Sequence, residues 1–219
     1  MRARSNDFFS DARAAFGLIR FDTIFDVGAN VGQSAHIFAA ENPGAKIYCF
    51  EPVVRAYNEL KRNVEHLPNV ETYQLAMGDR RYIGHMHVGA ETSLASFETK
   101  SGATEVEDVA VMTLDGFAEN SGIWDIDLLK IDTEGHDLKV LAGARNMILE
   151  DRVKFIQVEA SFYADNPRFV DLSALINALE RYEVFGIYDQ MPHPTGRQSV
   201  AYLNAVFVNR QLLKEPAWR

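Results

Sequence analysis

Three polar residues stand two apart in the segment KIDTEGHD: Asp132, Glu134 and His136. Carboxylates and an imidazole where a strand meets a helix can take a proton from an alcohol as a bond forms to its oxygen, a service worth roughly 10²–10⁴-fold in rate. Gly135 loosens the turn, and a helix N-terminus disfavours an imidazolium, which keeps His136 neutral and able to accept a proton. Glu159, ending the run FIQVEAS, sits at the same sheet edge, where it orients an acceptor hydroxyl or caps the next segment. Each candidate also has a structural role open to it: Asp132 as a cap or cofactor ligand, His136 as a first-turn residue. The expectation is that at least one of His136, Asp132 and Glu159 is essential to chemistry.

A second group of residues makes room for a ligand. In FDVGANVGQS an apolar run passes into Asp26-x-Gly28-x-Asn30-x-Gly32 and then into a helical stretch. Gly28 and Gly32 remove side chains where the backbone turns or a ligand closes in, and the following helix offers free N–H groups to an anion. Glu51 ends the next apolar run, KIYCFEP, where an acid hydrogen-bonds the hydroxyls of an adenosine ribose. Asn30 replaces the second glycine of G-x-G-x-x-G, which counts against a dinucleotide, and no G-x-x-x-x-G-K-[ST] loop exists. S-adenosylmethionine carries a carboxylate, an amine and a sulfonium but no phosphate. Asp26 suits the amine, the turn amides the carboxylate, and Glu51 the ribose.

These residues need a scaffold of alternating elements. Strands are predicted at Thr23–Val27, Lys46–Phe50, Val70–Leu75, Leu128–Ile131, Phe155–Glu159, Val184–Tyr188 and Leu203–Val208. Helices are predicted at Ser34–Glu41, Arg55–Glu65, Leu138–Leu149 and Leu172–Arg181, the last with Leu172, Leu175, Ile176 and Leu179 on one face and Asp171 as its cap. The alternation implies a mainly parallel sheet covered on both faces, an α/β fold that binds ligands beyond the strands' carboxyl ends. Residues 82–111 break the rhythm: HMHVG and SLASFET suggest short strands of an inserted β-hairpin. One domain over residues 1–219 is expected, residues 1–20 forming an N-terminal helical segment (Phe8 to Leu18) that packs on the sheet or serves as a lid.

Composition narrows the partners. With 22 Lys and Arg against 31 Asp and Glu, the net charge of −9 argues against nucleic acid and for a small or neutral substrate. No apolar run approaches the ~18 residues of a membrane span, and the start of the chain lacks the apolar stretch of a secretory signal. Cys49, the single cysteine, reads as a core residue. The expected location is the cytoplasm, and no oligomeric state follows.

FDVGANVGQS, FEPVVRAYNELKRNV, LAMGDR, TLDGF and LLKIDTEGHDLKVLAGA, in that order, resemble the FkbM family of S-adenosylmethionine-dependent methyltransferases. The resemblance implies a class I methyltransferase Rossmann-like fold of seven strands, the last antiparallel, with helices on both faces. It also implies O-methylation of a sugar, glycolipid, polysaccharide or natural-product hydroxyl, leaving S-adenosylhomocysteine. Carried onto this chain, it makes Asp26, Gly28, Asn30 and Gly32 the first cofactor motif, with Glu51 the ribose acid and Pro52 after it. Ala76, Met77 and Gly78 line the adenine, Asp79 partners its amino group, and Asp132 faces the methionine end and the acceptor. For the acceptor, Glu134, Ser93 and Ser96 of the hairpin, and His193 and Arg197 in YDQMPHPTGRQS, are candidates. Asp132, Glu134 and Glu159 are oxygen donors of the kind Mg²⁺ uses, and His85 and His87 share a strand face, but without H-E-x-x-H or a cysteine cluster a metal is not favoured. Two other readings stay open: a nicotinamide-dependent oxidoreductase, and a non-catalytic S-adenosylmethionine-binding subunit.

Overall fold

The structure, a computed structural model, describes residues 7–17, 19–89, 97, 105–163, 166, 168–192 and 200–214. Apolar runs uninterrupted by polar residues become strands buried on both faces. Strand β1 (Thr23–Val27) lies at the centre of the main sheet, flanked by β2 (Lys46–Phe50) and by Ile126–Ile131, whose six residues are all buried. Beyond β2 lies β3 (Val70–Tyr73). Two more short-range elements follow it: β4 (Ala76–Met77) and β5 (Tyr82–Val88). Then come β6 (Glu105–Met112), β7 (Ile126–Ile131), β8 (Val153–Ser161), β9 (Val170–Asp171), β10 (Tyr182–Pro192) and β11 (Val200–Asn209).

The main sheet runs β10-β11-β8-β7-β1-β2-β3, with β9 pairing β8 as an eighth strand. Pairings among β8, β7, β1, β2 and β3 are parallel, whereas β11 is antiparallel to both β8 and β10. The expected arrangement of seven strands with the last antiparallel is therefore present, lengthened by the two-residue β9. Strand order reverses between β1 and β7, which opens a crevice at their carboxyl ends.

Helix α1 (Phe8–Phe16) packs into the core. Asp7 caps it by accepting from Phe9 N–H, and its Phe8, Phe9 and Ala12 are buried in one core cluster with Phe21, Phe155 and Phe185. Phe8 packs edge-on to Phe155 at 5.2 Å and to Phe21 at 5.6 Å. Helices α2 (Gln33–Glu41) and α3 (Val54–Val64) follow β1 and β2 as expected. Helix α4 (Leu114–Ser121), capped by Thr113, covers the TLDGF motif and lacks a predicted counterpart.

The predicted helix 138–149 is two helices, α5 (Asp137–Gly143) and α6 (Arg145–Leu149), broken at Ala144. The break has a distant cause. Asp115 on α4 accepts hydrogen bonds from Asn146 N–H (2.9 Å) and Met147 N–H (3.0 Å) and so starts α6 afresh. Helix α7 (Leu172–Ala178) is shorter than predicted but is capped by Asp171 as the sequence suggests, and α8 (Arg210–Lys214) ends the described chain.

The inserted hairpin is real but pairs differently from the expectation. β5 runs antiparallel to β6, with β4 parallel to β6 on its other side, forming a separate three-stranded sheet. SLASFET, apart from Phe97, lies outside the described residues; Glu105–Met112 supplies the partner strand. Met86, Val88, Val109 and Val111 pack on Val53 and Ala56 of the α3 region, and Val54 N–H donates to Glu107. The small sheet is thereby pinned above the Glu51–Pro52 turn.

Candidate active site

The turn after β1 is built by backbone conformation. Gly28, Asn30 and Gly32 have φ of +79°, +47° and +98°, the left-handed region that glycine enters freely and asparagine tolerates. A Cβ on Gly28 would run into the main-chain carbonyl of Asp132, so the turns after β1 and β7 lie back to back. Gly32 serves packing: a Cβ there would stand 3.0 Å from Leu60 and 3.1 Å from Val64 of α3. Two amides expected to face a ligand carboxylate are engaged elsewhere, for Gly28 and Ala29 N–H both donate to Phe50 C=O (3.0 and 3.1 Å).

Glu51 ties the two turns together. Its carboxylate accepts Asn30 N–H and Val53 N–H, each at 2.9 Å, and it is only 6% exposed. Burial pushes its pKa up to about 7, against the pull of those two donors. Each oxygen keeps a lone pair free for a hydroxyl.

Beneath the crevice lies a charged group that sequence reading passed over. Lys130 on β7, only 6% exposed, places its ammonium 3.1 Å from Asp26, 3.2 Å from Asp132 and 3.3 Å from the carbonyl of Gly28. Burial alone would lower the lysine pKa, but the two carboxylates outweigh it and hold the group above its ordinary value. Asp26 is 0% exposed, and burial raises its pKa despite Lys130. Register explains the contact, since Asp26 and Lys130 are paired neighbours on parallel strands and share a face. A lysine inside the apolar run IDLLKI was the available signal.

The loop after β7 is locked from below. Asp137, 2% exposed, accepts hydrogen bonds from Thr133 N–H and Oγ1 (both 3.0 Å) and from Gly135 N–H (3.3 Å). The lock holds Glu134 at φ +53° and Gly135 at φ +98°. Arg168 then grips Glu134 with two 2.6 Å bonds, Nε to Oε2 and Nη2 to Oε1, a bidentate fork from a segment 34 residues away.

Glu159, half-buried at the end of β8, meets Asp132 across this edge. Burial and then the neighbouring Asp132 push its pKa up to about 8. Tyr202 of β11 feels the same charges and stacks on Phe169, ring centroids 4.4 Å apart. An aromatic wall thus stands beside the carboxyl pair.

A cavity joins these parts. Gly28, Asn30, Glu51, Pro52, Asp132, Thr133 and Glu134 line it together with the apolar Leu75, Ala76, Met77, Met86 and Phe97. His136 lies in the wall, 8% exposed, its ring 4.6 Å from that of Phe97. Burial, with Lys139 nearby, lowers its pKa to about 4. The imidazole is neutral, as the sequence suggested, but too weakly basic to be a strong proton acceptor.

The sequence model of the methyltransferase FkbM domain matches residues 26–183. The chain belongs to the FkbM methyltransferase family. The 2-O-methyltransferase NoeI of Sinorhizobium fredii is 27% identical, the match covering 74% of this chain and 72% of NoeI. The hexuronic acid methyltransferase AglP of Haloferax volcanii is also 27% identical, over 76% of this chain and 70% of AglP. The solved structure of N-methyltransferase NodS from Bradyrhizobium japonicum superposes with a TM-score of 0.52 over 91% of this chain and 84% of that one, at 9% identity, a likeness of fold.

As an FkbM methyltransferase the protein is S-adenosylmethionine-dependent, and the oxidoreductase alternative falls away. Its cavity brings together Gly28, Asn30, Glu51, Pro52, Ala76, Met77, Asp132, Glu134 and His136 of the residues singled out in sequence. Asp26 and Gly32 stay outside the cavity wall, one held by Lys130 and the other packing α2 on α3. Asp79 also stands outside, paired with Arg80 at 3.1 Å, and Glu159 reaches the site through Asp132. Ser93, Ser96, His193 and Arg197 lie outside the described residues. The stretch Tyr188–Pro192, expected to open a loop, is strand β10. Asn204 Nδ2 donates to Asp189 Oδ2, at 2.9 Å, on an exposed face. His85 pairs with Asp108 at 2.6 Å on an exposed strand face. Among the described residues no helix is long and apolar enough to cross a membrane. Lys130, Asp137 and Arg168 are the contributors that sequence reading missed.

Proposed function

We propose that this FkbM methyltransferase methylates a hydroxyl of a sugar or natural-product acceptor, with Glu159, backed by Asp132, as the proton acceptor. The observation that carries this reading is Glu159, its pKa raised by burial and by Asp132, beside a cavity that Asp132 and Glu51 line. S-adenosylmethionine supplies an electrophilic methyl group on sulfur, which passes by in-line displacement to the acceptor oxygen. The residues present fit that donor: Glu51 offers a carboxylate for vicinal hydroxyls, and the apolar Leu75, Ala76, Met77 and Met86 of the cavity wall suit a flat base.

Glu159 holds the acceptor hydroxyl and takes its proton. Asp132, fixed by Lys130, stands beside that carboxyl and its charge strengthens Glu159's hold on a proton. Arg168 keeps Glu134 from adding a third free carboxylate at this edge. Phe169 and Tyr202 offer an aromatic face to the C–H side of a sugar ring. NoeI and AglP, by their names a 2-O-methyltransferase and a hexuronic acid methyltransferase, support a carbohydrate hydroxyl as acceptor. The acceptor met is a small molecule or glycan precursor in the cytoplasm.

A labelled-methyl assay over neutral sugars, uronic acids, lipopolysaccharide fragments and polyketide alcohols tests the reading. Alkali-stable transfer to hydroxyls is expected. Transfer to amines alone overturns it, and binding of S-adenosylhomocysteine with no transfer to any acceptor returns the chain to a non-catalytic subunit.

A further inference from the structure

One nitrogen in the cavity wall lacks a partner. His136 Nε2 is buried and makes no hydrogen bond among the described residues, although the ring is more than nine-tenths buried. Native interiors pair nearly all such atoms, so an exception beside a ligand cavity marks the place of a ligand atom.

The surroundings specify that ligand atom. Phe97 lies against the imidazole, and Met77, Met86 and Leu75 line the same cavity. A slot of aromatic, thioether and aliphatic groups with one ring nitrogen accepts a flat heteroaromatic ring and offers it one hydrogen bond. Gly78 keeps the approach open: a Cβ there would stand 3.3 Å from Nε2 and press on Val111 at 2.8 Å. Gly143 in turn packs on Gly78, since a Cβ on Gly143 would strike the carbonyl of Gly78. Asp79, the acid expected to meet an adenine amino group, is turned to Arg80 instead and lies outside the wall.

We propose that His136 Nε2 hydrogen-bonds the edge of the donor's purine ring, so that His136 is a donor-recognition residue and not the base that deprotonates the acceptor. The inference rests on the donor reading above. It gives the KIDTEGHD segment two jobs one helical turn apart: Asp132 serves the transfer end and His136 the nucleobase end. Neutrality matters for this role, because an uncharged imidazole chooses between donating and accepting to suit the ring edge it meets.

The test is calorimetry of S-adenosylhomocysteine, its 6-oxo analogue and its 7-deaza analogue with the full chain, as wild type, His136→Phe and His136→Gln. Wild type should prefer the parent compound over at least one analogue. His136→Phe should weaken the parent by about tenfold, the loss of one buried hydrogen bond, and erase that preference. His136→Gln, which keeps a polar side chain, should recover part of both and guards against a Phe that disturbs the fold. In turnover the loss should appear in KM for the donor, with a smaller change in kcat. Unchanged affinity and preference in both variants, or a fall in kcat with affinity intact, overturns the assignment. A wild type that binds none of the three compounds overturns the donor reading itself.

Discussion

The ammonium of Lys130 stands 3.2 Å from Asp132, so a buried strand residue holds the carboxylate that faces the cavity from the end of β7. The same ammonium neutralises Asp26 at 3.1 Å. Two acids and one base share an interior in which an unpaired charge is costly. Lys130 therefore serves the fold and the site at once.

Replacing that lysine should show the dependence. Lys130→Met leaves Asp26 buried without a cation, and stability should fall by about 3–5 kcal/mol in urea denaturation. The double change Asp26→Leu with Lys130→Met removes both charges and should recover most of the loss. It should not recover activity, because Asp132 stays untethered. A single Lys130→Met variant as stable as wild type would count against the buried pair.

Glu159 should govern the pH profile. Its pKa is raised to about 8, so the carboxyl holds a proton below that pH and accepts one above it. As a base it gives a kcat/KM that rises with pH through about 8 and then levels. Glu159→Gln should cost about 100-fold or more in kcat, lose that rise, and bind S-adenosylhomocysteine as wild type does. A profile already flat between pH 6 and 9 in wild type would move the base elsewhere.

Glu51 should link donor binding to pH. With its pKa at about 7, it is half protonated near neutrality, and a ribose needs the carboxylate. Affinity for S-adenosylhomocysteine should tighten as pH rises from 6 to 8, and Glu51→Gln should bind weakly without that dependence. The stability sign is opposite. A carboxyl raised from its ordinary value of about 4.5 binds more protons folded than unfolded, so its contribution to stability declines as pH rises from there to about 7. The stability of wild type relative to Glu51→Gln, measured without ligand, should fall over the same window.

The acceptor end carries Asp132 and Glu134, with Asp26 beneath them, against Lys130 and Arg168, an excess of one acid even while Glu159 holds its proton. Neutral sugars should therefore outrank uronic acids in kcat/KM, and the gap should narrow with salt. Arg168→Ala frees Glu134 and should widen the gap. Tyr202→Ala, removing half of the aromatic wall, should raise KM for the sugar more than it lowers kcat. Equal use of neutral and anionic acceptors by wild type would argue against this electrostatic filter.

Much of this molecule was legible along the chain because the relevant physics is local. The left-handed turn of Gly28, Asn30 and Gly32, the cap at Asp171, and the apolar runs of β1, β2 and β7 depend on residues within a few positions of one another. So does the placing of Glu51 and Asp132 at strand ends, and five ordered motifs carry the family. Long-range packing decided the rest. Asp115 breaks a helix that its own periodicity continues, and Glu105–Met112 pairs with β5 across residues 89–104. Arg168 finds Glu134 from 34 residues away. Asp26 reads as a ligand residue in sequence, yet register sets it beside Lys130 in the sheet interior. His136 reads as a base, yet burial against Phe97 weakens it as one. Residue types and local turns determine which groups reach the strand ends; only the order of the sheet and the depth of burial decide which of them carry charge, and toward what they face.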